Sequence, residues 1–248
     1  MSFTALVYHE IRDDLNLVQQ PMTPLKAANG YTINLPTALF LNSEHFKHQM
    51  DYLVEQQFHF LSMQEVKDYY EKNIDLPHNS VLITFDDAFQ SLYTTAYPIL
   101  KELGIKATLF LVSGWLFDDA SDYNASASQV LSMVELQAMS DVFELANHTH
   151  DLHNLIKVGV NGGMEASFEA LQADLSRCNQ VIEHTDTFAY PFGFYHETLV
   201  DNLAKLGFKY AFTTKVGHND RSTECLKLNR ALIFNNMPFE NFQQIVNT

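Results

Sequence analysis

The sequence has little cysteine, little positive charge and no long apolar run. Its two cysteines, Cys178 and Cys225, lack a metal-like spacing, so no disulfide framework is expected and both are interpreted as ordinary small residues. The formal net charge of −15 argues against nucleic acid and anionic membranes as partners, because both require clustered Lys and Arg. The start of the chain lacks the features of a secretory signal, and no segment is long enough to span a bilayer. As written, the sequence predicts a cytoplasmic protein without a transmembrane segment. A processed extracellular or cell-surface form is the alternative.

The chain also lacks a Pro-, Gly- or Ser-rich linker, a low-complexity run and an internal repeat. Its 248 residues suit one barrel-sized domain, so we expect a single domain over residues 1–248. Short apolar runs alternate with amphipathic segments, which predicts parallel strands with helices packed outside. The predicted strands are residues 3–8, 58–61, 81–85, 108–112, 143–146, 187–190, 210–213 and 228–234. One helix is predicted to begin at Ser43, with Val54 on its apolar face, and another at Ser132. Four further helices are predicted over residues 62–70, 92–103, 165–183 and 196–206. Ser62 with Glu65 and Ser132 with Glu135 are predicted capping boxes.

A polar segment up to about residue 40 has no clear period and is predicted to be loop. The strand count indicates the fold class: an α/β, distorted or incomplete (β/α) barrel of about seven parallel strands fits better than an open sheet. In such barrels the loops after the strands carry the functional site. The polar and turn residues found at predicted strand ends are His9, Asp86, Asp87, His148, Tyr190 and Pro191.

The strand at residues 81–85 ends in two adjacent carboxylates, Asp86 and Asp87. Burying a pair of like charges is costly unless a cation or strong hydrogen-bond donors accompany them, so this strand is expected to lead into a polar site. The alternative interpretation is that one of the two aspartates caps the following helix. The sequence alone does not choose between the two.

Residues 147–153 contain three histidines within six positions. His148 and His150 would share one face of a strand, and His150 and His153 one face of a helix. His148 and His153 converge only if the chain turns between them, which Thr149 and Asp151 favour. Two histidines and one carboxylate with open positions form a catalytic rather than a structural metal site. A solvated loop with incidental histidines is the alternative.

These residues resemble the motifs of the polysaccharide deacetylases, also called carbohydrate esterase family 4. The similar segments are Thr84-Phe85-Asp86-Asp87, the His148 to His153 spacing, and Tyr190-Pro191-Phe192-Gly193. The last two look most like the subgroup that deacetylates poly-β-1,6-N-acetylglucosamine in biofilms. The resemblance implies Asp86 as the general base, with Asp87, His148 and His153 as ligands of one divalent metal. Zinc suits this ligand set, although cobalt, nickel and iron accept it too.

The sequence departs from the family pattern at three places. The glycine that often follows the aspartate pair is Ala88, which limits the turn. The arginine that often precedes the Pro-aromatic-Gly motif is missing, and Arg230 is a candidate substitute. The late Leu-x-His motif that supplies the general acid is also missing. His9 could fill that place if the barrel is circularly permuted, because first and last strands are neighbours in a closed barrel. A structural histidine at a strand end is the alternative.

The resemblance implies a metal-dependent N-deacetylase that releases acetate from an N-acetylglucosamine glycan. We expect the backbone N–H of Phe192 to help bind the oxyanion, since Pro191 has none. The substrate would contact the residues on either side of Phe192, which are Tyr190, Pro191, Gly193, Phe194 and Tyr195. Peptidoglycan, chitin oligomers or a small amide are alternative substrates. A catalytically silent carbohydrate-binding domain is the alternative from another class.

Overall fold

A computed structural model describes residues 1–13 and 22–247 of the chain. The strands are β1 (Phe3–Tyr8), β2 (Glu10–Arg12), β3 (Met22–Lys26), β4 (Asn34–Pro36), β5 (Phe40–Asn42), β6 (His59–Phe60), β7 (Ser80–Asp86), β8 (Ala107–Leu111), β9 (Ser128–Gln129), β10 (Phe143–Asn147), β11 (Leu155–Lys157), β12 (Val160–Asn161), β13 (His184–Ala189), β14 (Tyr210–Phe212), β15 (His218–Asn219) and β16 (Ala231–Leu232). The α-helices are α1 (Ser43–Glu55), α2 (Met63–Glu71), α3 (Tyr97–Leu103), α4 (Met133–Ala138), α5 (Gly162–Glu165), α6 (Phe168–Cys178), α7 (Glu197–Lys205) and α8 (Phe239–Asn247).

The main sheet is a curved path of seven parallel strands in the order β14, β13, β10, β8, β7, β1 and β16. β6 adds a short parallel pairing to β7, and β15 pairs antiparallel with β1. The gap between β14 and β16 is bridged by Leu228, whose N–H donates to the carbonyl of Ala211 at 2.8 Å. This architecture confirms the predicted incomplete α/β barrel. The suggested circular permutation stays a prediction.

Local sequence explains the elements that border the site. β7 is buried along its whole length, as expected for a central parallel strand rich in β-branched and aromatic residues. Ser62 with Glu65 caps α2, and Ser132 with Glu135 caps α4, each as a reciprocal capping box. Both capping boxes were predicted from the sequence.

Other sequence predictions were wrong. The segment before residue 40 was predicted to be loop, yet it contains β3 and β4, while residues 14–21 lie outside the described part. The helix predicted at residues 165–183 is divided, because Ser167 caps a new helix and α6 ends at Cys178. In contrast, the helix predicted at residues 92–103 is confirmed, and only its first part, Leu92–Ala96, is π-helical rather than α-helical. Val54 was assigned to the buried face of α1 but is 42% exposed, and α8 was not identified.

The parallel register brings the carboxyl ends of the strands to one rim. Tyr8 of β1 pairs with Phe85 of β7, and Asp86 pairs with Phe110 of β8. Leu111 of β8 in turn pairs with Asn147 of β10. Residues that follow these strand ends therefore face a common space. Within the described residues, no helix combines the length and apolar character needed to cross a bilayer.

Candidate active site

The aspartate pair lies at a sharp turn at the end of β7. Asp87 and Ala88 both have left-handed backbone angles, with φ of +73° and +61°. This conformation costs a non-glycine residue roughly 1 kcal/mol, and it turns the chain so that the two carboxylates point to different partners. The following helical turn has no side-chain cap, so the interpretation of the pair as a helix cap is wrong.

Asp86 pairs with Arg230, a residue 144 positions away in sequence. The guanidinium donates to both carboxylate oxygens, at 2.7 and 2.8 Å, and its Nε donates to the carbonyl of Thr213 at 3.1 Å. Arg230 is completely buried, with its charge 5.0 Å from the centre of the Phe110 ring. Burial alone would raise the pKa of Asp86, but the Arg230 charge and hydrogen bonds lower it to about 2.

Asp87, His148 and His153 come together at the same rim. Thr149 has φ of +80°, so the chain turns after His148 and brings His153 back beside it. Oδ1 of Asp87 lies 3.6 Å from Nε2 of His148 and 3.3 Å from Nε2 of His153. Ligands of a tetrahedral zinc ion, at about 2.0 to 2.1 Å from the metal, lie about 3.4 Å from one another. The observed spacings therefore match a shared cation.

The protonation states of the triad also fit a cation. Oδ1 of Asp87 is buried and has no hydrogen-bond partner among the described residues. Burial and the nearby Asp86 charge raise the pKa of Asp87 well above its usual range, so the anionic form needs a positive charge. Burial lowers the pKa values of both histidines, and Nδ1 of His148 donates to the carbonyl of Ala189 at 2.8 Å. This leaves Nε2 of His148 with a free lone pair.

Hydrogen bonds from α6 hold the loop that carries the two histidines. Asp174 accepts the backbone N–H groups of His150 and Asp151 at 2.8 and 2.7 Å. The side chain of His150 points away from the triad and lies 2.9 Å from Oγ of Ser113. His150 therefore does not share the cation site, which excludes the pairings of His150 with His148 or His153. Sequence reasoning missed Asp174, because no local pattern connects it to a loop more than 20 residues away.

The triad, Asp86 and His9 line one cavity of about 390 Å³. Its other walls are mostly apolar and include Phe192, Gly193 and Phe194. Further wall residues are Ile33, Asn34, Leu35, Pro36, Leu39, Leu155, Thr214 and Leu232. Loss of hydration in this cavity lowers the pKa of His9 to about 4, although the Asp86 charge acts in the opposite direction. His9 is therefore a neutral imidazole at pH 7 in the cation-free protein.

Residues 190–194, which we call the rim loop, form one wall of this cavity. Phe192 has φ of +59°, and its ring centre lies 4.5 Å from that of His153. The N–H groups of Gly193 and Phe194 donate to the carbonyls of Tyr190 and Pro191, at 2.8 and 3.1 Å. A Cβ atom on Gly193 would lie 2.1 Å from Oγ1 of Thr214, so the close packing of the rim loop requires glycine there.

The other predicted substrate contacts lie behind this wall. Tyr190 is completely buried and donates its hydroxyl to the carbonyl of Leu226 at 2.8 Å. Tyr195 stacks on Tyr190 with ring centres 4.7 Å apart, and Pro191 is buried. None of these three side chains is among those that line the described cavity, so their part in substrate binding stays a prediction.

The chain is similar to known proteins over most of its length. The sequence profile named polysaccharide deacetylase matches residues 73–211, more than half of the chain. The chain belongs to the polysaccharide deacetylase family. This deacetylase-family chain is 31% identical over 221 residues to the poly-beta-1,6-N-acetyl-D-glucosamine N-deacetylase of Staphylococcus aureus. The match covers 86% of this chain and 72% of that protein.

Two solved structures have a similar fold. The deacetylase PplD of Streptococcus pyogenes, solved with acetate, has 25% sequence identity and a TM-score of 0.75, covering 99% of this chain and 98% of that one. IcaB from Ammonifex degensii has 22% identity and a TM-score of 0.74, covering 99% and 96%. Membership of the family identifies this polysaccharide deacetylase as a hydrolytic enzyme.

Proposed function

We propose that this protein is a metal-dependent N-deacetylase that hydrolyses the N-acetyl groups of an N-acetylglucosamine polysaccharide. The observation that carries the proposal is the buried triad of Asp87, His148 and His153, whose ligand atoms lie within 4.8 Å of one another. The ionised Asp86 lies beside the triad, with Oδ2 at 3.9 Å from Nε2 of His148. The site therefore combines a cation-binding set with a separate carboxylate.

The substrate assignment rests on relatives. The staphylococcal relative is named for poly-β-1,6-N-acetylglucosamine, and a glycan of that kind is the substrate we propose here. The mostly apolar cavity walls suit the methyl group and apolar faces of an acetylated sugar. The compartment in which the protein acts and its organisation as a single domain stay predictions.

Asp87, His148 and His153 would hold one divalent metal, for which zinc is the first choice. When bound, this cation would polarise the acetamide carbonyl and make a nearby water more acidic. The neutral imidazoles donate lone pairs without first losing a proton. The Asp87 carboxylate would supply the negative charge that the cation requires.

Asp86 is the proposed general base. Arg230 holds its carboxylate through two hydrogen bonds, but each oxygen retains a further lone pair that can accept a proton from water. With a pKa of about 2, Asp86 is fully ionised at neutral pH. It is a weak base, so it acts on a water that the site has already made acidic.

The oxyanion formed by this attack needs donors that are already aimed at it. In the rim loop, Pro191 has no N–H, and the N–H groups of Gly193 and Phe194 are used within the loop. The backbone N–H of Phe192 is therefore the proposed donor. Removal of one such donor in other hydrolases costs about 10²- to 10³-fold in kcat.

His9 is the proposed donor of the proton to the leaving amine. Protonated Asp86, with a pKa of about 2, is a stronger acid than protonated His9, with a pKa of about 4. An aliphatic amine next to a sugar ring is more basic than either, with a pKa near that of an α-amino group, about 8. Because His9 is neutral at rest, the proposal requires the proton that Asp86 takes from water to reach His9, which lines the same cavity, before the amine departs.

The rival proposal, a silent carbohydrate-binding domain, was motivated by the missing motif arginine. Arg230 occupies the position of a partner for Asp86, which favours catalysis over binding alone. The decisive experiment measures metal content of the purified protein and acetate release from matched β-1,6- and β-1,4-linked N-acetylglucosamine oligomers. We expect faster release from the β-1,6 series and none after chelation. Asp86→Asn should retain the metal and lose turnover, and undiminished acetate release by the metal-free protein would refute the mechanism.

A further inference from the structure

Asn161 is a fully buried polar residue that the mechanism above does not use. It ends β12 and caps the first turn of α5, where its Oδ1 accepts the N–H of Met164 at 3.0 Å. Its Nδ2 donates one proton to the carbonyl of Pro191 at 3.0 Å and the other to the carbonyl of Phe194 at 2.8 Å. One amide thereby joins α5 to both ends of the rim loop.

The rim loop needs such a restraint because of its conformation. Phe192 has φ of +59° and ψ of 9°, a left-handed conformation that costs a side-chain-bearing residue about 1 kcal/mol. Such a conformation persists only when the surrounding contacts impose it. The Pro191 carbonyl belongs to the same peptide unit as the Phe192 N–H, so its bond to Asn161 restrains the direction of the N–H that we assigned to the oxyanion. The bond to the Phe194 carbonyl holds the loop on the other side of Phe192.

Asn161 is also connected to the substrate side of the cavity. In the antiparallel hairpin of β11 and β12, Asn161 is paired directly with Leu155. Leu155 lines the same cavity as the metal triad and Phe192. Asn161 therefore connects the rim loop, through its side chain, to a second element of the cavity wall, through its strand pairing.

We propose that Asn161 is a positioning residue for the oxyanion donor of this enzyme, an inference that rests on the proposed deacetylase function. It does not contact the substrate. It holds the Phe192 N–H in the direction where negative charge develops, and this matters more for the transition state than for the bound substrate. Loss of the restraint should therefore lower kcat rather than raise KM.

Two variants separate this role from helix capping. Asn161→Asp keeps an oxygen that can cap α5 but places an acceptor against two carbonyls. Asn161→Ser also retains a capping oxygen, and its shorter side chain cannot reach both carbonyls. Ser62→Ala is the matched control, because it removes a cap from α2, a helix outside the cavity lining.

We expect both Asn161 variants to lose about 10- to 100-fold in kcat with less than a twofold change in KM, because a displaced donor forfeits part of the contribution of a whole one. The inhibition constant of a phosphonamidate analogue of the acetamide, a tetrahedral mimic, should rise by the same factor as kcat falls. Metal content should not change. Ser62→Ala should lose stability without any change in kcat.

Hydrogen–deuterium exchange supplies a readout that does not depend on activity. Amides in residues 190–195 should exchange faster in Asn161→Asp, whereas those of the loop at residues 147–153 should not. An unchanged kcat, or equal changes in kcat and KM together with metal loss, would overturn the inference. If the wild-type protein releases no acetate, the proposed function is refuted. The exchange experiment then still tests the role of Asn161 in holding the loop, and an unchanged exchange rate at residues 190–195 in Asn161→Asp would refute that role as well.

Discussion

Replacement of Arg230 by methionine tests the central ion pair. The arginine is completely buried and makes two short bonds to Asp86, so Arg230→Met leaves a buried carboxylate without a counter-charge. Breaking a buried pair in this way costs about 3 to 5 kcal/mol of unfolding free energy. The drop in the pKa of Asp86 from 3.8 to about 2 accounts for about 2 kcal/mol of this at neutral pH.

The pH dependence has a defined sign. Because the folded-state pKa of Asp86 is lowered, its contribution to stability is fully present above the unfolded value of 3.8 and is lost as the pH falls towards 2. In Arg230→Met, burial without a cation should raise the pKa of Asp86 instead. The stability difference between wild type and variant should therefore narrow as the medium becomes acidic.

The assay is urea unfolding at pH 7 and at pH 4, with a double-mutant cycle. The neutral amide in Asp86→Asn needs no counter-charge, so Asp86→Asn/Arg230→Met should recover at least about 2 kcal/mol relative to Arg230→Met alone. Arg230→Lys, which keeps the charge but not the two parallel bonds, should fall between wild type and methionine. Strict additivity of the two single substitutions would refute the account of the ion pair.

Further predictions concern the metal and the loops. His148→Ala should purify without metal, and added zinc should raise the Tm of the wild type but not of this variant. Asp174→Asn should weaken zinc binding about 10- to 100-fold in a chelator competition, since it loosens the loop that carries the histidines; unchanged affinity would contradict this. Gly193→Ala should destabilise more than Gly207→Ala in thermal unfolding. Both glycines have positive φ, but only Gly193 would place its Cβ against Thr214.

The sequence by itself determined the elements whose signals are local. Capping boxes such as Ser62 with Glu65 require only residues three apart, and buried strands such as β7 reveal themselves by composition. Asp86, Asp87 and His148 could be named as site candidates in the same way, because each lies at the end of a recognisable strand. His153 was named from the histidine cluster and the family resemblance. The prediction of loop before residue 40 was wrong because the short strands there have no hydrophobic period of their own. They form through distant partners, such as the pairing of β3 with β9.

Tertiary structure alone decided how these residues meet. Only the adjacent placement of β16, β1 and β7 in the sheet brings Arg230 to Asp86 across 144 positions. Only the left-handed turn at Thr149 selects His153 over His150 as the neighbour of His148. Asp174 carries no local signal of its role, and the local cap that Asn161 forms on α5 does not reveal its bonds to the rim loop, because these hydrogen bonds join residues more than 20 positions apart. The sequence determines which functional groups are present. The direction in which a charged group or an N–H points depends on which strands become neighbours.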